Sequence, residues 1–298
     1  MGDVTRNLYL SDKKFAAQLT ADAQIAQDQP RKIRIVASGL VVEPLARERG
    51  ENFPVALRVL PIRYREPLHA AYALARRIDD LGDDPSRSPA LRLADLDALE
   101  ASLRADPSLR LPLEPFLDLI AANRYDQTLT RVTTYDELLG YCRLSANPIG
   151  RVVLAVFGAG GPDAAALSDD VCTALQILEH CQDVGEDYRD RDRVYLPAED
   201  CARYGVTDAD LDGVTTSRAL RRLVAAEVDR AAGLLDSGAL LVRRLRGWAR
   251  IAVAGYVAGG QATVDALRRC DFDVLGADVT PRRRDVVRHA ARLLAARR

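Results

Sequence analysis

The chain has 298 residues, and 48% of them are hydrophobic, which suits a soluble globular protein with a sizeable core. Its 42 lysine and arginine residues balance 43 aspartate and glutamate residues, so the charge gives no basis for binding nucleic acid. No apolar run approaches the roughly 20 residues of a membrane span, and residues 1–20 lack the charged and apolar regions of a secretory signal. We therefore predict a cytoplasmic protein with no transmembrane segment and no nucleic-acid partner.

The cysteines and histidines show no pattern of a zinc site. The five cysteines are odd in number, no two of them form a Cys-x-x-Cys pair, and no histidine stands at zinc-ligand spacing. In a chain of this size we interpret them as reduced thiols of an intracellular protein. His180 stands just before an acidic segment, and we interpret it as an uncharged helix histidine rather than a ligand.

Residues 1–35 are predicted to form an N-terminal arm. The segment Asp12–Gln27 is rich in alanine, lysine, glutamine and aspartate, which suits a surface helix, and Pro30 would end it. Three interpretations of the arm stay open: a lid, a packing arm and a partly ordered tail. Residues 36–298 are predicted to form one domain.

Helical periodicity characterises the rest of the chain. Apolar residues recur at steps of three and four, and they predict helices over Glu66–Leu81, Leu91–Leu103, Phe116–Asn123, Thr134–Phe157, Leu167–Tyr188, Glu199–Tyr204, Ser217–Leu235, Leu240–Arg269 and Arg282–Arg298. No segment alternates polar and apolar residues between hairpin turns, so no sheet is expected. We predict an all-α, single-domain bundle of about twelve helices around a central cavity.

One predicted helix carries both a start signal and an interruption. Thr134 and Glu137 have the spacing of a capping box at its beginning. Further along, Pro148 and Gly150 should interrupt the helix. Two interpretations remain: a kink that opens space inside the fold, and a plain break between two helices.

Two acidic segments share one spacing. Asp79 and Asp83 stand four residues apart near the end of a predicted helix, and Asp183 and Asp187 repeat that spacing far downstream. Residues four apart share a helix face, where like charges cost about 0.2–0.5 kcal/mol per pair. Mg²⁺ prefers oxygen ligands and commonly lies between carboxylates and substrate phosphates, so it would offset that repulsion. Facing helices of this kind predict Mg²⁺ ions around one diphosphate; the alternative is two solvated acidic faces.

The helix that carries Asp183 also has a polar stripe. Gln176, Glu179 and Gln182 follow one another at steps of three residues. On a buried helix such a stripe would line a cavity, and on a surface helix it would face water. The sequence alone leaves both arrangements open.

The two acidic segments belong to longer patterns. Residues 72–83 read Y-x-x-x-R-x-x-D-D-x-x-D and residues 183–187 read D-V-x-E-D, a combination that resembles the squalene/phytoene synthase family. The sequence R-V-Y-L-P at residues 193–197 resembles the family's segment after its second acidic motif. Three further stretches resemble the bacterial hydroxysqualene synthases of hopanoid synthesis: Glu51–Ala56, Tyr141–Pro148 and Gly255–Gly260. The resemblance extends over residues 50–295.

The resemblance implies an enzyme of isoprenoid biosynthesis with the isoprenoid-synthase helical fold. Such an enzyme ionises an allylic or cyclopropylcarbinyl diphosphate with the help of Mg²⁺, and residues 36–298 would be its catalytic domain. The implied metal ligands are Asp79, Asp80, Asp83, Asp183 and Asp187. The implied diphosphate contacts are Arg76, Arg193 and Tyr195, with Tyr72 as a further catalytic residue one turn before Arg76. The implied substrate-cavity residues are Asn52, Phe53, Gln176, Glu179 and Gln182.

Some positions differ from the wider family pattern. Glu179 and Gln182 stand where many synthases carry asparagine and arginine, and here the chain resembles the hydroxysqualene branch, which adds water instead of reducing the product. No Gly-x-Gly-x-x-Gly follows a strand, so nothing suggests the usual NADPH site. Cys181 and Leu74 stand where larger aromatic residues are expected in that branch, which puts the length of the substrate in doubt.

Three functions are therefore weighed. The first is a hydroxysqualene synthase that uses presqualene diphosphate and water. The second is a prenyltransferase of secondary metabolism that moves a dimethylallyl group onto an aromatic acceptor such as a carbazole. The third, a non-catalytic assembly protein, is disfavoured because both acidic motifs are present. An apolar product would also suit a membrane-peripheral position within the cytoplasm.

Overall fold

The structure, a computed structural model, describes residues 60–296. Thirteen helices form within these residues: α1 (Ile62–Gly82), α2 (Pro89–Ala105), α3 (Glu114–Tyr125), α4 (Tyr135–Ser145), α5 (Asn147–Val156), α6 (Pro162–Gln182), α7 (Val184–Arg191), α8 (Ala198–Tyr204), α9 (Asp208–Leu211), α10 (Arg218–Gly238), α11 (Leu240–Arg244), α12 (Gly247–Arg269) and α13 (Arg283–Ala295). No strand forms in this part of the chain, where one β-bridge pairs Arg131 with Val194. The prediction of an all-α fold is confirmed. None of the described helices is both long and apolar enough to cross a membrane.

Side-chain caps define where several helices begin. Ser88 Oγ accepts the backbone N–H of Leu91 at the start of α2, and Thr134 Oγ1 accepts that of Glu137 at the start of α4. The predicted capping box at α4 is formed on one side, because the Glu137 carboxylate accepts the backbone N–H of Thr133 instead, at 2.6 Å. Each such cap satisfies a donor that the first helical turn would otherwise leave unpaired.

Three predicted helices are each divided in two. The helix predicted over residues 134–157 breaks at Ala146, just before the Asn147-Pro148 pair, so the plain break is observed rather than a kink at Pro148. A proline supplies no N–H to the preceding turn but is tolerated in the first turn of a helix, which is where Pro148 lies in α5. The helix predicted over residues 167–188 breaks at Asp183, and the one predicted over residues 240–269 breaks before Gly247, whose φ is +55°.

The main core surrounds α6. Its most extensive interface is with α10, and α12 packs against both helices. Two glycines allow this close approach: a Cβ on Gly238 would lie 2.5 Å from Val171 Cγ2, and one on Gly260 would lie 2.8 Å from Leu175 Cδ2. The second-motif helix is thus held along its length by two neighbours, which positions the acidic residues at its end.

A second core joins α1, α2, α3 and α5. Ile78, Leu96, Phe116 and Ile120 are completely buried at its centre. At the end of α1, a Cβ on Gly82 would collide with the Asn123 side chain, so glycine leaves the space that this side chain occupies between α1 and α3. This contact places the first acidic motif directly beside α3.

Candidate active site

Asp79 lies on the last turns of α1 and faces α3. Asn123 Nδ2 donates to Asp79 Oδ1 at 3.2 Å and also to the backbone carbonyl of Leu119 at 3.1 Å. Burial raises the pKa of Asp79 to about 6, although the Asn123 hydrogen bond and the Arg76 charge both favour the ionised form. Asp79 is therefore a desolvated carboxylate whose negative charge is only partly compensated.

The other residues of the first motif are more exposed. The Asp80 side chain is 62% exposed and pairs with Arg76 one turn earlier, at 3.3 Å. Asp83 caps the end of α1, and its Oδ1 is 3.1 Å from Nη1 of Arg193. Tyr72 is half-buried on the same helix, one turn before Arg76.

The second motif lies at the junction of α6 and α7. Asp183 ends α6, yet its carbonyl still accepts the N–H of Asp187 at 2.8 Å, so the helical spacing of the two residues survives the break. Burial raises the pKa of Asp183 to about 6, and the carboxylates of Glu179 and Asp187 add to this rise. Asp187 is buried and pairs with Nη1 of Arg191 at 2.6 Å.

Arg193 connects the two motifs. Its side chain is 9% exposed and reaches Asp83 of the first motif, while its backbone N–H donates to the Asp187 carbonyl of the second, at 3.0 Å. The next residue, Val194, donates to the Thr130 carbonyl at 2.9 Å, and its own carbonyl accepts the N–H of Val132 at 3.0 Å. The loop after α3 therefore holds the segment that carries Arg193.

A cluster of buried polar and aromatic residues lies next to Arg193. Asp126, at the end of α3, accepts hydrogen bonds from the hydroxyls of Tyr141 at 2.9 Å and Tyr195 at 3.1 Å. Burial raises the pKa of Asp126, and the Arg193 charge opposes that rise. The His180 ring stacks on Tyr195 with centroids 3.9 Å apart, and its Nδ1 lies 3.9 Å from Asp187 Oδ2.

Sequence reasoning assigned no site role to four residues of this arrangement: Asn123, Asp126, Tyr141 and His180. His180 was interpreted as an ordinary helix histidine, and its position immediately before the second motif was the available signal. Asn123 and Asp126 stand three residues apart at the end of a predicted helix, where polar residues are common and give no signal of their own.

The predicted cavity residues have mixed environments. Gln176 Nε2 donates to Glu179 Oε2 at 3.3 Å and lies 3.3 Å from His180 Nε2, so these two residues continue the polar stripe toward the motif. Gln182 Nε2 instead donates to the backbone carbonyl of Val279 at 2.9 Å, in the segment between α12 and α13. The predicted N-terminal arm and the predicted cavity residues Asn52 and Phe53 lie outside the described residues.

The carboxylate groups suit a metal ion that takes some of its ligands from the protein and the rest from the substrate. Within residues 60–296, no three carboxylate, imidazole or thiol groups lie close enough together to hold a metal by themselves. Mg²⁺ commonly uses one or two carboxylates and completes its shell with water and substrate phosphates. The raised pKa values of Asp79 and Asp183 indicate carboxylates that an added cation would stabilise in the charged form. The donor set therefore fits Mg²⁺, and the assignment of the five aspartates as its ligands stays a prediction.

The comparisons with known proteins point the same way as the motifs. The family described as Squalene/phytoene synthase matches residues 46–288. A hydroxysqualene synthase of Sinorhizobium fredii is 33% identical over 215 residues, which cover 67% of this chain and 73% of the relative. A hydroxysqualene synthase of Rhodopseudomonas palustris is 36% identical over 212 residues, covering 66% of this chain and 72% of the relative.

A solved structure extends the similarity to three dimensions. The squalene synthase HpnC from Alicyclobacillus acidocaldarius is 37% identical, with a TM-score of 0.68, and the match covers 76% of this chain and 91% of that one. A dehydrosqualene synthase, 23% identical, has a TM-score of 0.71 and supports the fold alone. The family typically combines a divalent metal with diphosphate substrates. With its motifs, its helical fold and a match over most of its length, the chain belongs to the squalene/phytoene synthase family of enzymes.

Proposed function

We propose that this enzyme converts presqualene diphosphate and water into hydroxysqualene and diphosphate. Two kinds of similarity support the choice within the family. The curated relatives described above are hydroxysqualene synthases at 33% and 36% identity. Glu179 and Gln182 also stand where the hydroxysqualene branch differs from other synthases.

The observation that carries the proposal is the position of Arg193. Its guanidinium is buried and lies against the first motif, while its backbone is bonded to the second motif. A guanidinium presents a planar set of donors that matches phosphate oxygens. A diphosphate placed between the two motifs would therefore meet a fixed positive charge in surroundings of reduced dielectric, where that charge acts strongly.

The aspartates and the arginines have different roles in this proposal. Asp79, Asp80, Asp83, Asp183 and Asp187 would hold Mg²⁺, which when bound supplies positive charge against the leaving diphosphate. Arg76 and Arg193 bind oxygens of the same diphosphate. Tyr195 and Asp126 keep Arg193 in place, because Tyr195 donates to Asp126 and the Asp126 charge lies close to the guanidinium.

The reaction balances without a reductant. The carbon–oxygen bond to the diphosphate breaks with both electrons on the leaving oxygen. The cyclopropane ring of the resulting cation then rearranges and opens to give an open-chain allylic cation, and water bonds to that cation and releases one proton. One water molecule reacts with each carbocation, so the site must exclude other water molecules from the cation. Gln176 and Glu179 contact each other one to two turns before Asp183. We propose that these two side chains orient the reacting water.

A product assay with labelled water tests the proposal. Purified protein is incubated with presqualene diphosphate and Mg²⁺ in water enriched in oxygen-18, and the product is analysed by mass spectrometry. We expect hydroxysqualene that carries one label, and no turnover after the metal is chelated. A parallel assay offers dimethylallyl diphosphate with carbazole or indole. A prenylated aromatic product with presqualene diphosphate left intact would overturn the proposal in favour of aromatic prenyl transfer.

A further inference from the structure

A basic pocket lies away from the acidic motifs, where the end of α12 meets the first turn of α13. It is an open pocket with a volume of about 420 Å³, lined by five arginines and two aspartates. The arginines are Arg268, Arg269, Arg282, Arg284 and Arg288. None of the lining residues belongs to the candidate active site, so the pocket needs a separate explanation.

The two aspartates organise part of this pocket. Asp285 is 4% exposed and pairs with Arg269 at 3.2 Å and with Arg288 at 2.8 Å. Asp265 pairs with Arg288 and with His289, both at 2.8 Å. These ion pairs hold Arg269 and Arg288 at the wall of the pocket. A guanidinium that is bound on one edge retains N–H donors on its other edges, so both arginines can still bind an anion.

Two of the arginines are left without an acidic partner. Arg282 and Arg284 are exposed and form no ion pair within residues 60–296. With five arginines against two aspartates, the lining carries an excess of positive charge. The pocket also lies at the positive end of the α13 helix dipole, which adds to the same potential.

The surrounding sequence strengthens this charge. Residues 282–298 contain seven arginines and one aspartate, while the whole chain has a net charge of −1. The remainder of the chain is therefore negative, and the positive potential is concentrated on this last segment. An asymmetry of this kind favours an anionic ligand at the segment itself.

We propose that this pocket binds a phosphate or diphosphate group, independently of the acidic motifs. Guanidinium groups bind phosphate oxygens through paired, charge-assisted hydrogen bonds, and Arg282 and Arg284 have such donors available. The phosphate group has two sources of the same chemistry, free diphosphate and the headgroup of an anionic lipid. The proposal does not depend on which reaction the acidic motifs support.

The experiment measures two kinds of binding to the full chain without divalent cations. With EDTA present, the acidic motifs lack the cation that would offset their charge and therefore disfavour anions, and inorganic diphosphate binding that is lost in Arg282→Gln/Arg284→Gln reports the basic pocket. Isothermal titration measures inorganic diphosphate, and co-sedimentation measures vesicles of phosphatidylcholine with and without phosphatidic acid. Both assays compare the parent with Arg282→Gln/Arg284→Gln and with the control Arg110→Gln/Arg143→Gln, which removes two exposed arginines that form no ion pair among the described residues.

The proposal predicts binding in at least one assay, weakened about tenfold in Arg282→Gln/Arg284→Gln and unchanged in the control. Loss in the titration assigns the site to free diphosphate, and loss in the vesicle assay assigns it to a lipid headgroup. Absence of binding in both assays, or equal binding by the two double variants, whether weakened or unchanged, would overturn it. Both variants replace exposed side chains, and an unchanged thermal transition verifies that they fold.

Discussion

The two acidic motifs share a four-residue spacing, but the fold gives them different surroundings. Asp79 lies inside the continuous helix α1 and receives a hydrogen bond from Asn123 of a neighbouring helix. Asp183 lies at a helix break, and its nearest charges include two further carboxylates, Glu179 and Asp187. Even so, burial is the main cause of the raised pKa at both positions. Desolvation therefore destabilises the ionised form of both carboxylates more than repulsion between helix neighbours does, and a bound cation would offset that cost.

The largest expected effect comes from removing either of these two partly buried carboxylates. Asp79→Asn and Asp183→Asn should each lower kcat/KM by at least about a hundredfold, because each removes a proposed metal ligand. The thermal transition should stay unchanged or rise, since an uncharged amide is easier to bury. The control is Asp236→Asn, which changes an exposed aspartate on α10. Full Mg²⁺-dependent activity in either variant would contradict the assignment of that residue.

A second comparison separates the two arginines beside the second motif. Arg193 reaches the first motif, whereas Arg191 pairs within its own helix with Asp187. Arg193→Lys keeps the charge but loses the planar set of donors, and we expect kcat/KM to fall about tenfold to a hundredfold. Arg191→Lys should change it by less than about threefold. Steady-state kinetics on both variants measure the difference, and equal effects would show that the bridge between the motifs has no special role.

A third prediction concerns the hydrogen bond that only the first motif receives from α3. Asn123 favours the ionised form of Asp79, so Asn123→Ala should raise the Asp79 pKa further. The acidic limb of the kcat/KM profile should move to higher pH, with a loss of activity at pH 6 that is partly recovered at pH 8. Gln127→Ala, one turn later, is the control, because Gln127 donates to the Gly82 carbonyl and not to Asp79. A loss of activity that is the same at every pH would indicate a packing role for Asn123.

The smallest effect is on stability as a function of pH. The Asp183 pKa is raised from 3.8 to about 6 in the folded state. Between these values the folded state holds a proton that the unfolded state has lost, so stability falls as pH rises from about 4 to about 6. Asp183→Asn should remove this contribution and make the melting temperature of the variant exceed that of the parent by a few °C at pH 7, but not at pH 4. Calorimetry at the two pH values tests the sign, and Asp236→Asn should show no such difference.

Local information was sufficient for the helical class and for the motifs. Apolar periodicity along each segment predicted most helices within a few residues, because that pattern is a property of neighbouring residues. The breaks at Asp183 and before Gly247 were missed, since both interrupt segments whose periodicity continues on each side. The motif residues were identifiable because their types and spacing are themselves local, and they led to the family.

The tertiary structure alone decided how those motifs are held. The contact between Asn123 and Asp79 spans 44 residues, and that between Arg193 and Asp83 spans 110. Such pairs depend on which helices pack together, here through the close approach of α1 and α3 at Gly82. The same applies to Asp126, which accepts hydrogen bonds from the hydroxyls of Tyr141 and Tyr195 on other segments of the chain. The sequence by itself determined which chemical groups are present and on which helices they lie. Only packing decided which carboxylates are desolvated and which arginine joins the motifs, because burial and long-range contact are properties of the folded chain.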